Sequence, residues 1–291
     1  MTRPEWLAGG ERVSVDGFNV FVRRRAEAAS GGRGKWVTFL HGFPTSSWDW
    51  ARVVPLLPPT ASLLLFDFLG FGDSDKPADH DYSLFGQADL TEALWRRFGV
   101  ERTVLVAHDY GDTVAQELLA RAAEGRLRVT LDAGLLLNGG VFPGLHRPRP
   151  VQRWLQRPLA GPLIARLMSE RSFARSFGAV FSRQHPLERA EAGQHWQAVR
   201  ARGGRRVMHR LIRYIAERER HRERWEQALE RAAASLGFVW GMQDPVSGPP
   251  MAARIRERLP GSALRELADV GHYPQLEAPA VVAGEIASMM A

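Results

Sequence analysis

Asp109 lies at the centre of the short run Ala107-His108-Asp109-Tyr110-Gly111. The apolar and β-branched residues 103–107 before it are typical of a strand that is buried on both faces. From residue 113 onward, apolar positions recur at helical spacing. A strand that turns directly into a helix needs small residues around the turn and holds its central side chain at the end of the sheet. A carboxylate there serves as a nucleophile or as a helix cap, and this stretch alone fits both interpretations.

Two later side chains supply the partners that a carboxylate nucleophile needs. Asp244 follows the apolar residues 235–240, and His272 follows residues 263–267. Each also has a structural explanation, since Asp before Pro initiates turns and His can be a satisfied core residue. All three residues follow predicted strands, however. Their chain order, with the nucleophile first, the acid second and the histidine last, is one known order of a catalytic triad.

Alternating strands and helices are predicted to bring these three loops to one edge of a sheet. Residues 12–25 alternate around Asp16-Gly17 and predict an opening hairpin. Further strands are predicted at 35–40, 61–66, 103–107, 131–137, 235–240 and 263–267, and helices at 48–57, 84–98, 252–259 and 280–290. The pattern predicts an α/β fold with a mainly parallel, doubly wound sheet of eight strands. Ligands of such sheets bind at the carboxyl ends of the strands.

Residues 141–231 interrupt the alternation. This stretch is rich in Arg, has helical periodicity and is broken by prolines. We therefore expect residues 1–140 and 232–291 to form the α/β core and residues 141–231 to form an inserted helical cap.

Composition narrows the possible partners. The chain has 291 residues, of which 45% are hydrophobic and 24% are charged, as in an ordinary globular protein. Its net charge is +7, but Arg alternates with Glu across residues 213–225, which is typical of a solvated, ion-paired face and not of a nucleic-acid surface. The sequence therefore favours a small-molecule substrate over nucleic acid.

Other absences in the sequence bear on location and metal binding. The chain contains no Cys, so disulfides and thiolate metal sites are excluded. No stretch approaches the roughly 18 consecutive apolar residues of a membrane span, and the first residues lack the apolar centre of a secretory signal. We expect a cytoplasmic protein with no membrane span, no metal and no cofactor.

Four motifs carry a resemblance to a known family. They are His41-Gly42-Phe43-Pro44, Gly70-Phe71-Gly72-Asp73-Ser74-Asp75-Lys76-Pro77, His108-Asp109-Tyr110-Gly111 and Gly271-His272. Together they resemble the haloalkane dehalogenase and epoxide hydrolase branch of the α/β hydrolases. More narrowly, residues 108–118, 138–143, 146–148 and 272–277 resemble the mesoderm-specific transcript subfamily, and that likeness does not define a substrate.

The resemblance implies a two-step hydrolysis. Asp109 attacks an electrophilic carbon to form an enzyme ester, and His272, oriented by Asp244, then deprotonates the water that hydrolyses the ester. The backbone N–H groups of Phe43 and Tyr110 are the implied oxyanion donors.

Further side chains are expected near the substrate. We expect His41 to support the site through hydrogen bonds, and we expect His41 and Trp48 to contact the substrate. The cap tryptophans at 154, 196 and 225 either line the pocket or pack in the core. Tyr214 is the expected hydroxyl donor from the cap.

Departures from the family patterns bear on the substrate, which we expect to be a small apolar electrophile. A dehalogenase needs donors for the leaving halide, yet Tyr110 stands where relatives place Trp, and Phe43 where some place Asn. An epoxide hydrolase generally uses two cap tyrosines, and Tyr214 is the one tyrosine in residues 141–231. Since losing one donor of two is the smaller defect, we expect an epoxide to be opened to a diol.

Three alternatives follow from the same residues. One is dehalogenation of an alkyl halide by the same nucleophile, and another is an inactive fold that serves as an interaction module. A serine-type esterase is disfavoured because Asp109 occupies the position of Ser. The sequence leaves the oligomeric state open.

Overall fold

The computed structural model describes residues 1–26 and 35–290, and eight strands of these residues form one sheet. The strands are β1 (Glu11–Val15), β2 (Phe18–Arg25), β3 (Trp36–Leu40), β4 (Ser62–Phe66), β5 (Arg102–His108), β6 (Thr130–Leu137), β7 (Leu236–Gly241) and β8 (Ala263–Leu267). Their order is β1-β2-β4-β3-β5-β6-β7-β8. Strand β2 is antiparallel to β1 and β4, and the other neighbouring pairs are parallel. The predicted mainly parallel sheet is confirmed.

Helices connect the strands. They are α1 (Arg3–Ala8), α2 (Leu84–Phe98), α3 (Tyr110–Ala123), α4 (Pro150–Leu155), α5 (Ala160–Leu167), α6 (Glu170–Gly178), α7 (Arg189–Arg200), α8 (Met208–Leu211), α9 (Tyr214–Arg220), α10 (Arg222–Ala232), α11 (Pro249–Arg258), α12 (Pro274–Glu277) and α13 (Pro279–Met290). Short 3₁₀ turns lie at Ser47–Trp50, Val54–Leu56, Ala201–Arg206 and Ala233–Ser235. No helix of the described residues is long and apolar enough to cross a membrane.

The opening hairpin and helix α2 form where the sequence predicts them. Asp16 (φ 49°) and Gly17 (φ 84°) both adopt the left-handed conformation that a two-residue type I′ turn requires. Helix α2 begins after Ser83, whose hydroxyl accepts a 3.0 Å hydrogen bond from the Gly86 N–H, and ends at Gly99 in the left-handed conformation. Local sequence alone specifies both elements.

Strand β5 supplies side chains to two apolar layers. Leu105 and Ala107 belong to the cluster that includes residues of α2 and α3. Val104 and Val106 point to the opposite face, in the cluster that includes residues of α13. Burial on both faces explains the continuous apolar run in the sequence.

Two local predictions differ from the structure. The helix expected at residues 48–57 is wrong: this stretch forms the separate 3₁₀ turns Ser47–Trp50 and Val54–Leu56. Pro55 has no N–H to donate to a longer helix, and Leu57 is already extended. Helix α1, which a Thr2–Glu5 capping box starts, was not predicted.

Residues between β6 and β7 form helices α4–α10, and this helical insertion is anchored on α3. Glu117 of α3 is 1% exposed and accepts hydrogen bonds from Trp225 Nε1 (2.9 Å), Arg224 Nε (2.8 Å) and Arg121 Nε (2.9 Å). Burial opposes ionisation, but these donors outweigh it and lower the pKa of Glu117. The bonds from Arg224 and Trp225 hold α10 against α3.

Candidate active site

Asp109, Asp244 and His272 converge at the carboxyl ends of the strands. Asp109 directly follows β5, Asp244 lies in the loop after β7 and His272 in the loop after β8. His272 Nδ1 lies 2.8 Å from Asp244 Oδ2. Asp109 and His272 line the same cavity, of about 250 Å³. The topology therefore brings together the three side chains that the sequence singled out.

The backbone at Asp109 is strained in the manner of a nucleophile turn. Its φ of 50° and ψ of −102° are unusual for a non-glycine residue, and its side chain makes no capping hydrogen bond to α3. Glycines make room for the turn. A Cβ on Gly111 would lie 2.3 Å from the Leu40 carbonyl oxygen, and one on Gly139 would lie 3.0 Å from Asp109 Cα. The geometry of a helix cap is not met here.

The Asp109 carboxylate is held by a backbone donor from the loop after β3. Phe43 N–H donates to Asp109 Oδ2 at 3.1 Å. Tyr110 is the first residue of α3, so its N–H has no acceptor within the helix. The loop after β3 therefore supplies a backbone N–H to the carboxylate of Asp109, a residue that is 2% exposed.

Asp244 is surrounded by donors. Its Oδ2 accepts from Asn138 Nδ2 (2.9 Å) and Ser247 Oγ (2.6 Å), and its Oδ1 accepts from the Val246 N–H (2.7 Å). Burial favours the neutral acid, but His272 and these donors outweigh it and lower the pKa of Asp244 to about 2. Asp244 is therefore an anion at neutral pH and orients His272. Sequence reasoning gave no role to Asn138 or Ser247.

The charge of His272 depends on both aspartates. Burial lowers the pKa of His272, but the Asp244 carboxylate outweighs it, Asp109 adds in the same direction, and the pKa lies above its ordinary value of 6.5. The loop that carries His272 is held at the end of β5, since the His272 carbonyl oxygen lies 2.8 Å from His108 Nε2. With Nδ1 engaged by Asp244, Nε2 is the nitrogen left for acid–base chemistry.

His41 and Trp48 do not contact this cavity. His41 Nε2 accepts from the Phe68 N–H at 3.0 Å, and burial lowers the pKa of His41 to about 3. His41 is thus a neutral side chain that supports the loop after β4 by a hydrogen bond, as expected. It does not line the cavity, so the expected contact with substrate is not seen. Trp48 lines a separate cavity with Met1 and Arg52, because the 3₁₀ turn carries it away from Asp109. The expectation that Trp48 contacts substrate is wrong.

Tyr214 and Tyr110 lie behind the cavity wall. The Tyr214 ring packs against Phe43 (5.8 Å between ring centroids) and Tyr110 (5.0 Å) and does not line the cavity itself. Its hydroxyl is buried without a hydrogen-bond partner in the described part of the chain. Burial raises the pKa of Tyr214, and the Asp109 charge raises it further. The hydroxyl is therefore a neutral donor close to Asp109.

The tryptophans of the helical insertion do not line the cavity. Trp225 is buried against Glu117, and Trp196 packs on Phe173 at 5.6 Å between ring centroids. Trp154 is 51% exposed. Core packing explains the first two, and Trp154 remains on the surface.

Sequence reasoning missed Tyr273, which lines the cavity beside His272. Its hydroxyl donates to the Phe43 carbonyl oxygen at 3.4 Å, on the loop that holds Asp109. Its position next to His272 was the available signal. The rest of the lining is mostly apolar. Its other polar residues are Arg149, Gln152, Ser172 and Ser176.

Arg218 and Asp112 were also missed, and no local pattern marks them. Arg218 of α9 is 2% exposed, and its Nε donates to Thr113 Oγ1 at 2.8 Å. Its Nη2 lies 3.5 Å from the Asp109 carbonyl oxygen. Burial raises the pKa of Asp112 well above its usual range, with the Asp109 charge adding to the effect. Burial and the neighbouring Asp109 therefore both oppose a charge on Asp112.

The described residues contain no group of three or more His, Asp or Glu side chains placed to hold a metal ion. The chemistry available from the chain itself is that of a carboxylate, an imidazole–carboxylate pair and backbone donors.

Comparison with known proteins identifies the family. The profile described as alpha/beta hydrolase fold matches residues 35–279. The chain belongs to the α/β-hydrolase family. The protein named LipZ from Mycobacterium tuberculosis, designated a candidate hydrolase, is 42% identical over 100% of this chain and 99% of its own length. The mesoderm-specific transcript homolog protein of Bos taurus is 38% identical over 94% of this chain and 83% of its own length.

A solved structure with the same fold is haloalkane dehalogenase DbeA from Bradyrhizobium elkani USDA94. Its TM-score is 0.79 at 24% sequence identity, and the match covers 97% of each chain. The protein is therefore a hydrolase of the α/β fold, similar to the mesoderm-specific transcript proteins in sequence and to a haloalkane dehalogenase in structure, as the sequence motifs indicated.

Proposed function

We propose that this protein hydrolyses an apolar electrophile through a covalent ester on Asp109, and that the electrophile is an epoxide. One observation carries the proposal: the Asp109 carboxylate, held through Oδ2 by the Phe43 N–H at 3.1 Å, faces a cavity that it shares with His272. A carboxylate needs no deprotonation before it attacks carbon, so His272 is free for the second step.

In the first step Asp109 Oδ1, the oxygen that Phe43 does not hold, forms a bond to one epoxide carbon. The ring C–O bond breaks, and the ring oxygen takes the phenolic proton of Tyr214, whose hydroxyl must turn past the Phe43 ring to reach the cavity. This proton is available because burial keeps Tyr214 neutral and its hydroxyl has no other partner in the described residues. Arg218, whose Cζ lies 4.8 Å from the Tyr214 ring centroid, stabilises the negative charge that develops there.

In the second step His272 Nε2 takes a proton from water, and the hydroxide oxygen adds to Asp109 Cγ. The Phe43 and Tyr110 N–H groups stabilise the oxyanion on Oδ2. Collapse expels the alkoxide, which takes the proton from His272 and leaves as the diol. The carboxyl proton left on Asp109 returns to Tyr214, so that one water is consumed and the enzyme is restored.

An epoxide fits this site better than a halide. A departing halide needs N–H donors that face the nucleophile. Phe43 offers only an apolar side chain in the cavity, and the Tyr110 ring packs behind the wall against Phe71 (5.1 Å between ring centroids). An alkoxide needs a proton, which the neutral Tyr214 phenol supplies once its hydroxyl reaches the cavity. Haloalkane dehalogenation remains the second candidate, favoured by the structural likeness to DbeA.

We further propose that residues 141–231 act as a cap over the core formed by residues 1–140 and 232–291. Helices α4 and α6 of this segment supply much of the cavity lining, including Leu155, Phe173 and Phe177. Apolar side chains over a carboxylate exclude bulk water and strengthen the electrostatic interactions inside.

The ester is tested by trapping it. In the variant His272→Gln the first step proceeds and the second fails, so an epoxide should add its mass to the peptide containing Asp109. In the unaltered enzyme, repeated turnover in ¹⁸O-water should place label in Asp109, because the water oxygen enters the carboxylate. Turnover that leaves Asp109 unlabelled would refute the covalent mechanism.

The substrate class is tested with a panel of terminal epoxides and matched 1-haloalkanes of equal chain length. The proposal expects diol from the epoxides and little halide release. Halide release with no diol would select dehalogenation. Absence of both, together with no adduct on Asp109 in His272→Gln, would leave the inactive interaction module.

A further inference from the structure

Helix α5 and the residue before it expose their large side chains and bury the small ones. Leu159 is 94% exposed, Leu163 is 59% exposed and Leu167 is 72% exposed. Gly161 and Ala165 of the same helix are buried. The three leucines are spaced by four residues and therefore lie along one stripe. A helix facing only water normally has the opposite arrangement.

Packing fixes this orientation of α5. A Cβ on Gly161 would lie 2.2 Å from the Leu155 carbonyl oxygen and 3.2 Å from His209 Cβ, so only a glycine allows so close an approach. At the other end, Arg205 Nη1 donates to the carbonyl oxygens of Arg166 (2.9 Å) and Met168 (3.1 Å). The leucines are thus held outward.

Helix α4, adjacent to α5, adds an exposed aromatic side chain. Trp154 is 51% exposed, and the Arg157 Cζ lies 4.7 Å from its ring centroid. Tryptophan and arginine together are typical of the boundary between water and lipid, where the indole ring lies at headgroup depth and the guanidinium stays among the headgroups.

The charged residues around α4 and α5 are all positive. Residues 138–169 contain no Asp or Glu and five arginines. None of these five forms an ion pair in the part of the chain that the structure describes, whereas Arg224 and Arg258 of the neighbouring elements are paired with glutamates. The arginines are Arg147, Arg149, Arg153, Arg157 and Arg166. Arg149 lines the cavity, and an anionic surface is the complement of the other four.

A second copy of the chain is a poor occupant for this surface. A two-fold contact through α5 would bring the unpaired arginines of both copies together, at an electrostatic cost. A layer of anionic lipid offers both an apolar interior for the leucines and negative headgroups for the arginines.

We propose that α4 and α5, with the stripe Leu159, Leu163 and Leu167, dock the protein on an anionic lipid surface. The docking face adjoins the cavity, because Val151 and Leu155 of α4 and Met168 after α5 line it. An apolar substrate dissolved in lipid therefore has a short path to Asp109. The docking is independent of the chemistry proposed for that residue.

Co-sedimentation with vesicles tests the docking. The full chain should bind phosphatidylglycerol–phosphatidylcholine vesicles, bind pure phosphatidylcholine weakly, and lose binding to the mixed vesicles as salt is raised. Changing the three leucines to serine should weaken binding to mixed vesicles by at least about tenfold, since each loses its insertion into lipid. The side chains are exposed, so folding should survive, which a thermal melt verifies.

Two control variants separate docking from general adsorption of a basic protein. Leu56→Ser removes an exposed leucine (53%) far along the chain, and Arg97→Gln removes an exposed arginine of α2. Both should bind vesicles as the unaltered protein does, while Arg153→Gln with Arg157→Gln should bind less. The proposal is overturned if the triple serine variant binds equally well. It is also overturned if the protein does not bind vesicles and instead forms a dimer that the serine changes abolish.

Discussion

The Phe43 N–H donates a hydrogen bond to Asp109 Oδ2 at 3.1 Å. In the proposed mechanism, a donor in this position stabilises the oxyanion that forms on the same atom when water attacks the ester. In this mechanism one backbone group therefore serves both steps, and the other carboxylate oxygen makes the attack. The relationship depends on the strained turn at Asp109, which points the side chain away from its own helix.

The first prediction concerns pH. The Asp109 charge contributes to the raised pKa of His272, and ester formation removes that charge. The pKa of His272 should therefore be lower in the ester than in the free enzyme, which makes the imidazole available as a base when water must be activated. Decay of the ester should be fast above this pKa and slow below it, because protonated His272 cannot accept a proton.

Rapid-quench measurements of ester decay across pH give the pKa in the ester, and NMR titration of His272 gives that of the free enzyme. Asp109→Asn, which is neutral like the ester, is the matched control and should also titrate below the unaltered protein. Equal His272 titrations in Asp109→Asn and the unaltered protein would contradict the electrostatic coupling.

The second prediction concerns Asp244. Asp244→Asn removes the negative charge that stabilises the protonated form of the buried His272 and that fixes the tautomer of its ring. The value of kcat should therefore fall by about 10³ to 10⁴. Ser247→Ala deletes one of the donors to the same carboxylate and should lower kcat only about tenfold. Steady-state rates of the two variants, with thermal melts as a check on folding, make the comparison. Equal losses would show that Asp244 acts through structure alone.

The sequence was sufficient to locate the residues whose positions follow from the order of strands and helices. It was not sufficient for residues whose positions depend on how the elements pack together. The change from strand to helical spacing located Asp109, and Asp244 and His272 followed from the ends of later strands. Trp48 was misplaced because Pro55 breaks the expected helix and a 3₁₀ turn points the ring elsewhere. Arg218 approaches Asp109 only through the way α9 sits on the core, which no local pattern encodes.

The third prediction compares the roles of the Tyr214 and Tyr273 hydroxyls, each of which a change to Phe removes. Tyr214→Phe should reduce epoxide opening by about 10² to 10⁴, because the alkoxide then lacks its acid. Tyr273→Phe deletes the hydroxyl that already donates to the Phe43 carbonyl oxygen and should have the smaller effect. Adduct formation on Asp109, measured with each change in the His272→Gln background, isolates the first step. A larger loss with Tyr273→Phe would transfer the acid role to Tyr273.

The fourth prediction concerns the space around the nucleophile turn. A Cβ on Gly139 would lie 2.1 Å from Asp112 Oδ2 and 3.0 Å from Asp109 Cα. Gly139→Ala should destabilise the fold by about 1–3 kcal/mol and, by displacing Asp109, reduce activity by about 10². In Gly284→Ala the new Cβ meets nothing within 4 Å, and the better helix propensity of Ala in α13 should stabilise the fold by about 0.5–1 kcal/mol. Urea unfolding and steady-state rates of both variants test the argument. Full activity in Gly139→Ala would mean that the turn tolerates displacement and that its geometry does not position the nucleophile.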